Sequence, residues 1–479
     1  MTAAGQAAAR SSADDYTPDP RRWRALAVVL VAGFMVLLDV SIVNVALPSI
    51  AAGIHAGDNA LQWVVSGYAL AFGLVLVAGG RIGDARGRRP TLVLGLVIFT
   101  LASAACGAAQ TPLMLVVARL IQGVGGGMVT PQNSGLIQGL FRGEERGRAF
   151  GLFGGVIGIS TAVGPLVGGL LIHFAGTGSG WRWIFLVNVP IGILAIVLAF
   201  RTVPKAEKQK KGQHNDYDPV GAMILGVATV LVLLPFVESR TWSGSLKWTL
   251  LVPAALLGYA FVRWERAYRG RGREPMVNLD LFSHRSYAFG SVLGLAYFAG
   301  FTAVFFIYSQ FLQDGVGYSA LRAGLASLPW AVGSALSAGL AGRVVFRIGR
   351  ALVAIGLVLV IVGLIGAWVA IGLVDGTMVG SAVAAPFFVA GIGNGLVISP
   401  NQSLTLSEVP PAQGGAAGGV LQTGQRIGSA AGIAAVGSLF YSQLPDFQGA
   451  IRTGFLVVTA FVLVALAVAV ADMITNRKR

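Results

Sequence analysis

One carboxylate, Asp39, stands inside MVLLDVSIVNVALPSI (35–50), a run that otherwise has the character of a membrane helix. One arginine, Arg119, opens RLIQGVGGGMVTP (119–131) a few residues inside another apolar run. Charged groups are costly in hydrocarbon, so those found there face a polar interior and mark function. Loss of water favours the neutral acid and a nearby arginine favours the charged one, a balance that lets a carboxylate take and release a proton. Of 20 Asp and Glu, Asp39 alone lies deep in an apolar run, and Glu238 and Glu265 stand at run ends. A static buried Asp–Arg contact, or an arginine reaching to the membrane surface, is the plain structural alternative. Enzyme and metal chemistry lack support. There is no HExxH, no Ser-His-Asp order and no metal cluster, and His55, His173, His214 and His284 fall in loops or at run ends. Cys106 is the only cysteine, which excludes an intrachain disulfide. The chain reads as neither an enzyme nor a cofactor protein.

The elements that must position these groups follow from composition. The chain is 55% apolar and 11% charged with mean hydropathy +0.74, whereas soluble domains are about 45–50% apolar and about 25% charged. A span needs about 20 apolar residues. Fourteen such runs are predicted, at 25–47, 60–82, 91–109, 113–137, 150–173, 182–203, 219–238, 247–264, 286–312, 321–342, 350–372, 378–400, 415–440 and 448–472. The first follows RRWR and reads as an uncleaved helix. With the N-terminus inside, the 35 Lys and Arg fall almost wholly in cytoplasmic segments. The exceptions are Arg182, Arg240, Lys247, Arg322 and Arg452 outside, and Arg119 and Arg426 within spans. This positive-inside pattern accounts for the net charge of +15 as topology, and no contiguous basic face is left for nucleic acid.

The chain also repeats itself. GRIGDARGR (80–88) and GRVVFRIGR (342–350) share Gly80, Arg81, Gly87 and Arg88 at an offset of 262 residues. GVGGGMVTP (123–131) matches GIGNGLVISP (391–400) with one insertion, which sets Phe387 opposite Arg119. GGV at 154–156 with Gly164 matches GGV at 418–420 with Gly428. Duplicated halves are characteristic of transporters. The expected architecture is an all-α membrane protein of 14 spans with both termini cytoplasmic. Its parts are a disordered tail (1–24), a six-helix bundle (25–203), a linker (204–218), two inserted helices (219–265), a linker (266–285), a pseudo-symmetric six-helix bundle (286–472) and a tail (473–479).

GGRIGDARGRRP (79–90) resembles the loop between helices 2 and 3 of the major facilitator superfamily, through Gly80, Ile82, Gly83, Asp84, Gly87, Arg88 and Arg89. Ala85 departs where a basic residue is usual, with Arg86 adjacent. From the residues themselves, Asp84 can cap a neighbouring helix N-terminus or pair with an arginine. The resemblance implies a charge lock that controls opening. RLIQGVGGGMVTP is similar to the superfamily's helix-4 motif, which implies proton transfer for Arg119. VGPLVGG (163–169) resembles the helix-5 motif of its exporters, which implies outward transport and carries over to Gly164, Pro165, Gly168 and Gly169. Glycines four apart also serve bare helix packing. LLDVSIVNVALP, WRWIFLVNVPIG (181–192) and EPMVNLDLFSHRSY (274–287) resemble the 14-helix drug:proton antiporters, so the likeness covers nearly the whole chain after the tail.

Asp39 stands about eight residues from the outer end of its span and Arg119 about six from that of its own, a depth difference of only about 3 Å. In the superfamily both helices face the central cavity. Asp39 is therefore expected to alternate between Arg119 and a proton or cationic substrate. The substrate cavity is expected to take in Asn44, Gln122, Phe305, Tyr308, Gln310, Gln422, Gln425 and Arg426. Arg426 disfavours dications, and the aromatic stripe could stack on a drug or only pack. The expectation is a monomeric, proton-coupled exporter of a lipophilic drug or antibiotic in a bacterial plasma membrane, with protons and lipid as its further partners and no nucleic acid. A sensor or scaffold that kept the fold is the other class.

Overall fold

The computed structural model describes residues 18–176, 178–205, 217–238, 242, 244–374 and 376–477. Most of the expected tail at 1–24, residues 206–216 of the first linker and residues 478–479 lie outside the described residues, as do the side chains of Asn44 and Pro165.

The described chain is helical, with no strand among the described residues. The first bundle contains α1 (Arg22–Ile54), α2 (Asp58–Arg86), α3 (Arg88–Ala108), α4 (Pro112–Leu140), α5 (Gly143–Ala175) and α6 (Gly180–Thr202). Then come α7 (Pro219–Val237) and α8 (Leu251–Gly270). The second bundle contains α9 (Arg285–Gln310), α10 (Ala320–Ile348), α11 (Arg350–Leu373), α12 (Val379–Thr405), α13 (Gly414–Ser442) and α14 (Phe447–Arg477). Twelve segments of the described residues are long and apolar enough to cross a membrane; α13 is less apolar, and α5 includes residues 161, 162 and 165, whose side chains lie outside the described residues. Large apolar side chains such as Leu101, Leu113, Leu256 and Leu340 are exposed, as a lipid-facing surface requires.

Local chemistry sets the helix ends. Thr111 caps α4 by accepting from Met114 N at 3.3 Å, with Pro112 in the first turn. Asp218 does the same for α7 at Gly221 N, 2.9 Å, ahead of Pro219. Between α2 and α3, and again between α10 and α11, one glycine makes the whole turn, Gly87 at φ 104° and Gly349 at φ 66°. Side chains rarely adopt such angles, and these two glycines are partners in the 262-residue repeat.

The bundles meet along two seams, α2 against α13 and α5 against α10. Both are lined with small residues. A Cβ on Gly419 would lie 2.8 Å from the Leu76 carbonyl, and one on Gly151 would lie 2.8 Å from that of Ala338. Helices α7 and α8 pack on each other, and α7 also lies against α2 and α13.

Helices run past several predicted ends, most of all α1, which starts at Arg22 and continues to Ile54 rather than spanning 25–47. Arg22 is held by Glu145 at 3.0 Å, so the end of the expected tail is ordered helix. The linker at 266–285 is docked rather than loose. Met276 and Val277 bury against Val77 and Phe261, and Glu274 pairs with Arg81 at 2.6 Å. Two apolar anchors inside a polar stretch are enough to seat it.

Candidate functional site

Asp39 on α1 is fully buried. Its Oδ2 accepts from Arg119 Nη1 at 2.6 Å, and its Oδ1 from Gln122 Nε2 at 2.8 Å and Asn188 Nδ2 at 2.9 Å. Arg119 also donates to the Gln122 Oε1 at 2.7 Å and to the Val64 carbonyl at 2.9 Å, and Gln122 donates to Ser103 Oγ at 2.8 Å. Arg119 and Gln122 are three residues apart on α4 and so share a face. The guanidinium lies 4.0 Å from the centre of the Tyr68 ring, a cation–π contact. The carboxylate joins α1 to α4 and α6, and through Arg119 and Gln122 the network extends to α2 and α3. Arg119 is 1% exposed, so it does not reach to the membrane surface. The depth comparison missed the length of α1, yet the pair meets. Asn188, Ser103 and Tyr68 were not foreseen. Asn188 left a trace, as a lone amide in WRWIFLVNVP, whereas nothing in the sequence singled out Tyr68.

Gly164 and Gly168 press α5 onto α1 beside this network. A Cβ on Gly164 would collide with Ser41, and one on Gly168 would lie 2.9 Å from Ile42 Cγ1. Ser41 in turn donates to the Ser160 carbonyl at 3.1 Å. Gly169 faces Leu321 of the other bundle at ordinary contact distance.

At the end of the molecule that carries the Gly87 turn, Asp84 performs both tasks open to it. It accepts from Arg88 Nη2 at 2.9 Å and Nε at 3.2 Å, and it caps α13 through Gly415 N at 3.0 Å and Ala416 N at 2.8 Å. Arg88 also donates to the carbonyls of Gly135 and Pro411. Gly80 lies directly against the Gly415 backbone, where a side chain would not fit. Arg89 instead stays within its own bundle, on the Phe200 carbonyl at 2.6 Å. Arg86 binds the Tyr217 hydroxyl at 2.8 Å.

Between the bundles, a small cavity of about 60 Å³ is lined by Val40, Tyr68, Phe72, Arg119 and Arg426, with the Arg426 guanidinium 4.5 Å from the centre of the Phe72 ring. The other expected cavity residues scatter. Gln122 belongs to the Asp39 network. Gln422 crosses from α13 to donate to Ser134 Oγ of α4 at 3.1 Å. Gln425 sits near Gly294 of α9. Gln310 donates to the Tyr441 hydroxyl at 2.7 Å. Tyr308 is fully buried against Phe387, ring centres 4.6 Å apart, and Phe305 packs on Trp330 at 5.3 Å. The aromatic stripe is therefore the packed core of the second bundle and does not line this cavity.

The sequence pattern of the Major Facilitator Superfamily matches residues 29–433. The chain is similar to a probable actinorhodin transporter of Streptomyces coelicolor, 36% identical over 89% of this chain and 74% of that one. It is also similar to a puromycin resistance protein of Streptomyces alboniger, 34% identical over 87% and 81%. Its fold resembles that of a solved proton:xylose symporter, with TM-score 0.66 and 16% identity over 93% and 94% of the two chains. The match over most of its length shows that the chain belongs to the major facilitator superfamily, and it is a multi-pass plasma-membrane transporter rather than an enzyme.

Proposed function

We propose that the chain is a proton-coupled exporter of lipophilic drugs or antibiotics that works by alternating access of its two bundles. The observation that carries this reading is the sealed contact of Asp39 with Arg119, Gln122 and Asn188 beside the Gly164 packing of α5 on α1. All three partners donate to the carboxylate. A proton on Asp39 would cancel the charge that holds Arg119, and the unpaired Asn188 Oδ1 is an acceptor for the new O–H once that amide turns over. Arg119 would then be left as an uncompensated positive charge beside the cavity, which repels a basic lipophile, draws in water that loosens a neutral one, and does not suit a dication.

In this reading all fourteen helices span the membrane. The Gly87 end is cytoplasmic, as are both termini, and α7 and α8 (219–265) are an insertion between bundles 25–203 and 286–472. The Asp84 and Arg88 lock closes the cytoplasmic side while Asp39 exchanges protons with the outside. Losing its proton to the cytoplasm, Asp39 would recapture Arg119 and reopen the site to a new molecule. The relatives named for actinorhodin transport and puromycin resistance support antibiotics as cargo. The protein acts as a monomer.

Purified protein in liposomes, acid outside and loaded with a pH dye, tests this. A drug offered on the cytoplasmic face should release the proton gradient in proportion to the drug exported. Drug export with no proton movement would overturn the coupling.

A further inference from the structure

The second copy of the helix-4 pattern repeats more than its glycines. TPQNS (130–134) on α4 and SPNQS (399–403) on α12 set proline, two amides and serine in the same order. Ser134 Oγ accepts from Gln402 Nε2 at 3.0 Å and from Gln422 Nε2 at 3.1 Å, which joins both bundles at one hydroxyl. Around it lies a group of buried polar atoms without hydrogen-bond partners. They are both side-chain amide atoms of Asn133 and of Gln138, the Ser399 and Thr423 hydroxyls, and the Gln422 Oε1. Asn133 and Gln138 are 0% exposed and Ser399 1%. Ser134 stands about 22 Å along α4 from Arg119. The belt therefore lies far from the Asp39 network and beside the Asp84 and Arg88 contact, where Gln138 and Arg88 both meet Gly414.

Buried polar groups are almost always paired, and each exception calls for an explanation. Gln138 lies against Gly414 of α13 and Ser399 against Gly154 of α5, both across the contact between the bundles, whereas Asn133 meets Gly33 of α1 within its own bundle. The neutral groups at the bundle contact, offering both donors and acceptors, are a surface without partners in this closed arrangement, and parting of the bundles would uncover Gln138, Ser399 and Gln422. We infer that this belt, centred on Gln138, Ser399 and Gln422, is a binding site for the hydroxyl and carbonyl groups of an uncharged substrate, engaged when the bundles part at the Gly87 end. The inference rests on the export reading above and names the chemistry of the molecule exported. An amide with a free N–H and a free C=O pairs with a hydroxyl in either sense, so the site selects for oxygen-rich molecules without fixing one skeleton.

Two neutral fluorescent probes separate hydroxyls from ring stacking: 4-methylumbelliferyl glucoside, and 7-methoxy-4-methylcoumarin, which keeps the ring and lacks the sugar. Binding is measured on the full chain in lipid nanodiscs. The wild type is expected to hold the glucoside at least tenfold more tightly. Gln138→Met with Gln422→Met should erase that preference while affinity for the methoxycoumarin stays level. The milder Ser399→Ala with Thr423→Val should lower the preference about threefold if the first pair disturbs folding. Equal binding of both probes by the wild type, or a preference that survives both variant pairs, overturns the inference. Loss of both probes together would show a purely structural belt and overturns it too. Failure of proton-driven uptake of the methoxycoumarin into inside-out vesicles would count against the export reading alone, because the nanodisc preference is read without a gradient.

Discussion

The two bundles share a backbone plan and differ in charge. Gly87 and Gly349 make equivalent turns, and glycines line both seams. Yet α1 carries Asp39, whereas its counterpart α9 has no acid along its length. Phe387 stands opposite Arg119 in the repeat and is buried between Tyr308 and Trp330. Arg88 and Arg350 are also repeat partners, but they point to different tasks. Arg88 reaches across the α2/α13 seam to the Pro411 carbonyl, whereas Arg350 binds Asp472 at 2.7 Å and the Ser286 carbonyl at 2.7 Å inside its own bundle. The α5/α10 seam carries a surface pair, Arg347 with Glu144 at 3.0 Å. The repeat has kept the glycine turns and the close-packed seams, while the Asp39–Arg119 pair and the carboxylate that crosses a seam to cap α13 belong to the first half.

The sharpest break of this contrast sets Asp39→Asn against Phe387→Leu. Asparagine keeps the shape but leaves Arg119 buried without a counter-charge, a loss of about 3–5 kcal/mol for a buried pair. Proton-driven drug uptake into inside-out vesicles should fall by at least a hundredfold. Phe387→Leu trims a packed core and should lower thermal stability while transport stays within a few-fold. Uptake that persists in Asp39→Asn, or vanishes in Phe387→Leu with the protein still folded, would dissolve the contrast.

The two seams offer a finer cut. Asp84→Asn weakens charge-assisted bonds, each worth about 1.5–3 kcal/mol, so the Gly87 end should open at least tenfold more often. Ser134→Cys in a Cys106→Ala background reports this as faster thiol labelling. Glu144→Gln removes an exposed pair worth about 0.2–1 kcal/mol and should change that labelling less than fivefold. Equal effects from the two variants would mean that both seams gate alike.

Much of this was legible because the bilayer makes charge informative. Against 55% apolar residues, Asp39 and Arg119 stood out on cost alone, and the repeated GR–GR loops located the seam that Asp84 caps. Helix ends were less legible, since α1 runs on through Pro48 for six further residues and α5 begins in the polar GEERGRA, ahead of its apolar stretch, where hydropathy does not register a helix. The cavity residues were hardest. Gln122, Gln422 and Gln310 look alike as amides in apolar runs, but one binds Asp39, one bridges the bundles and one meets Tyr441. Which face of a helix meets which neighbour is settled by packing between distant segments, and periodicity within one segment does not record it.

Tyr308 gives the smallest expected effect and tests that last point. In sequence, Phe305 and Tyr308 form a stripe that could stack on a drug; in the fold, Tyr308 is buried on Phe387 and its hydroxyl has no hydrogen-bond partner. Tyr308→Phe keeps the ring and removes only an unsatisfied oxygen. Melting temperature should hold or rise, by no more than the equivalent of about 1 kcal/mol, and drug transport should not change. Tyr297 is the matched control, because its hydroxyl donates to Asn394 Oδ1 at 2.6 Å. Tyr297→Phe leaves that amide oxygen bare and should cost about 1 kcal/mol. If Tyr308→Phe alters drug specificity while stability is level, the aromatic half takes part in substrate contact, and the division between a charged working bundle and a packed supporting one gives way at that residue.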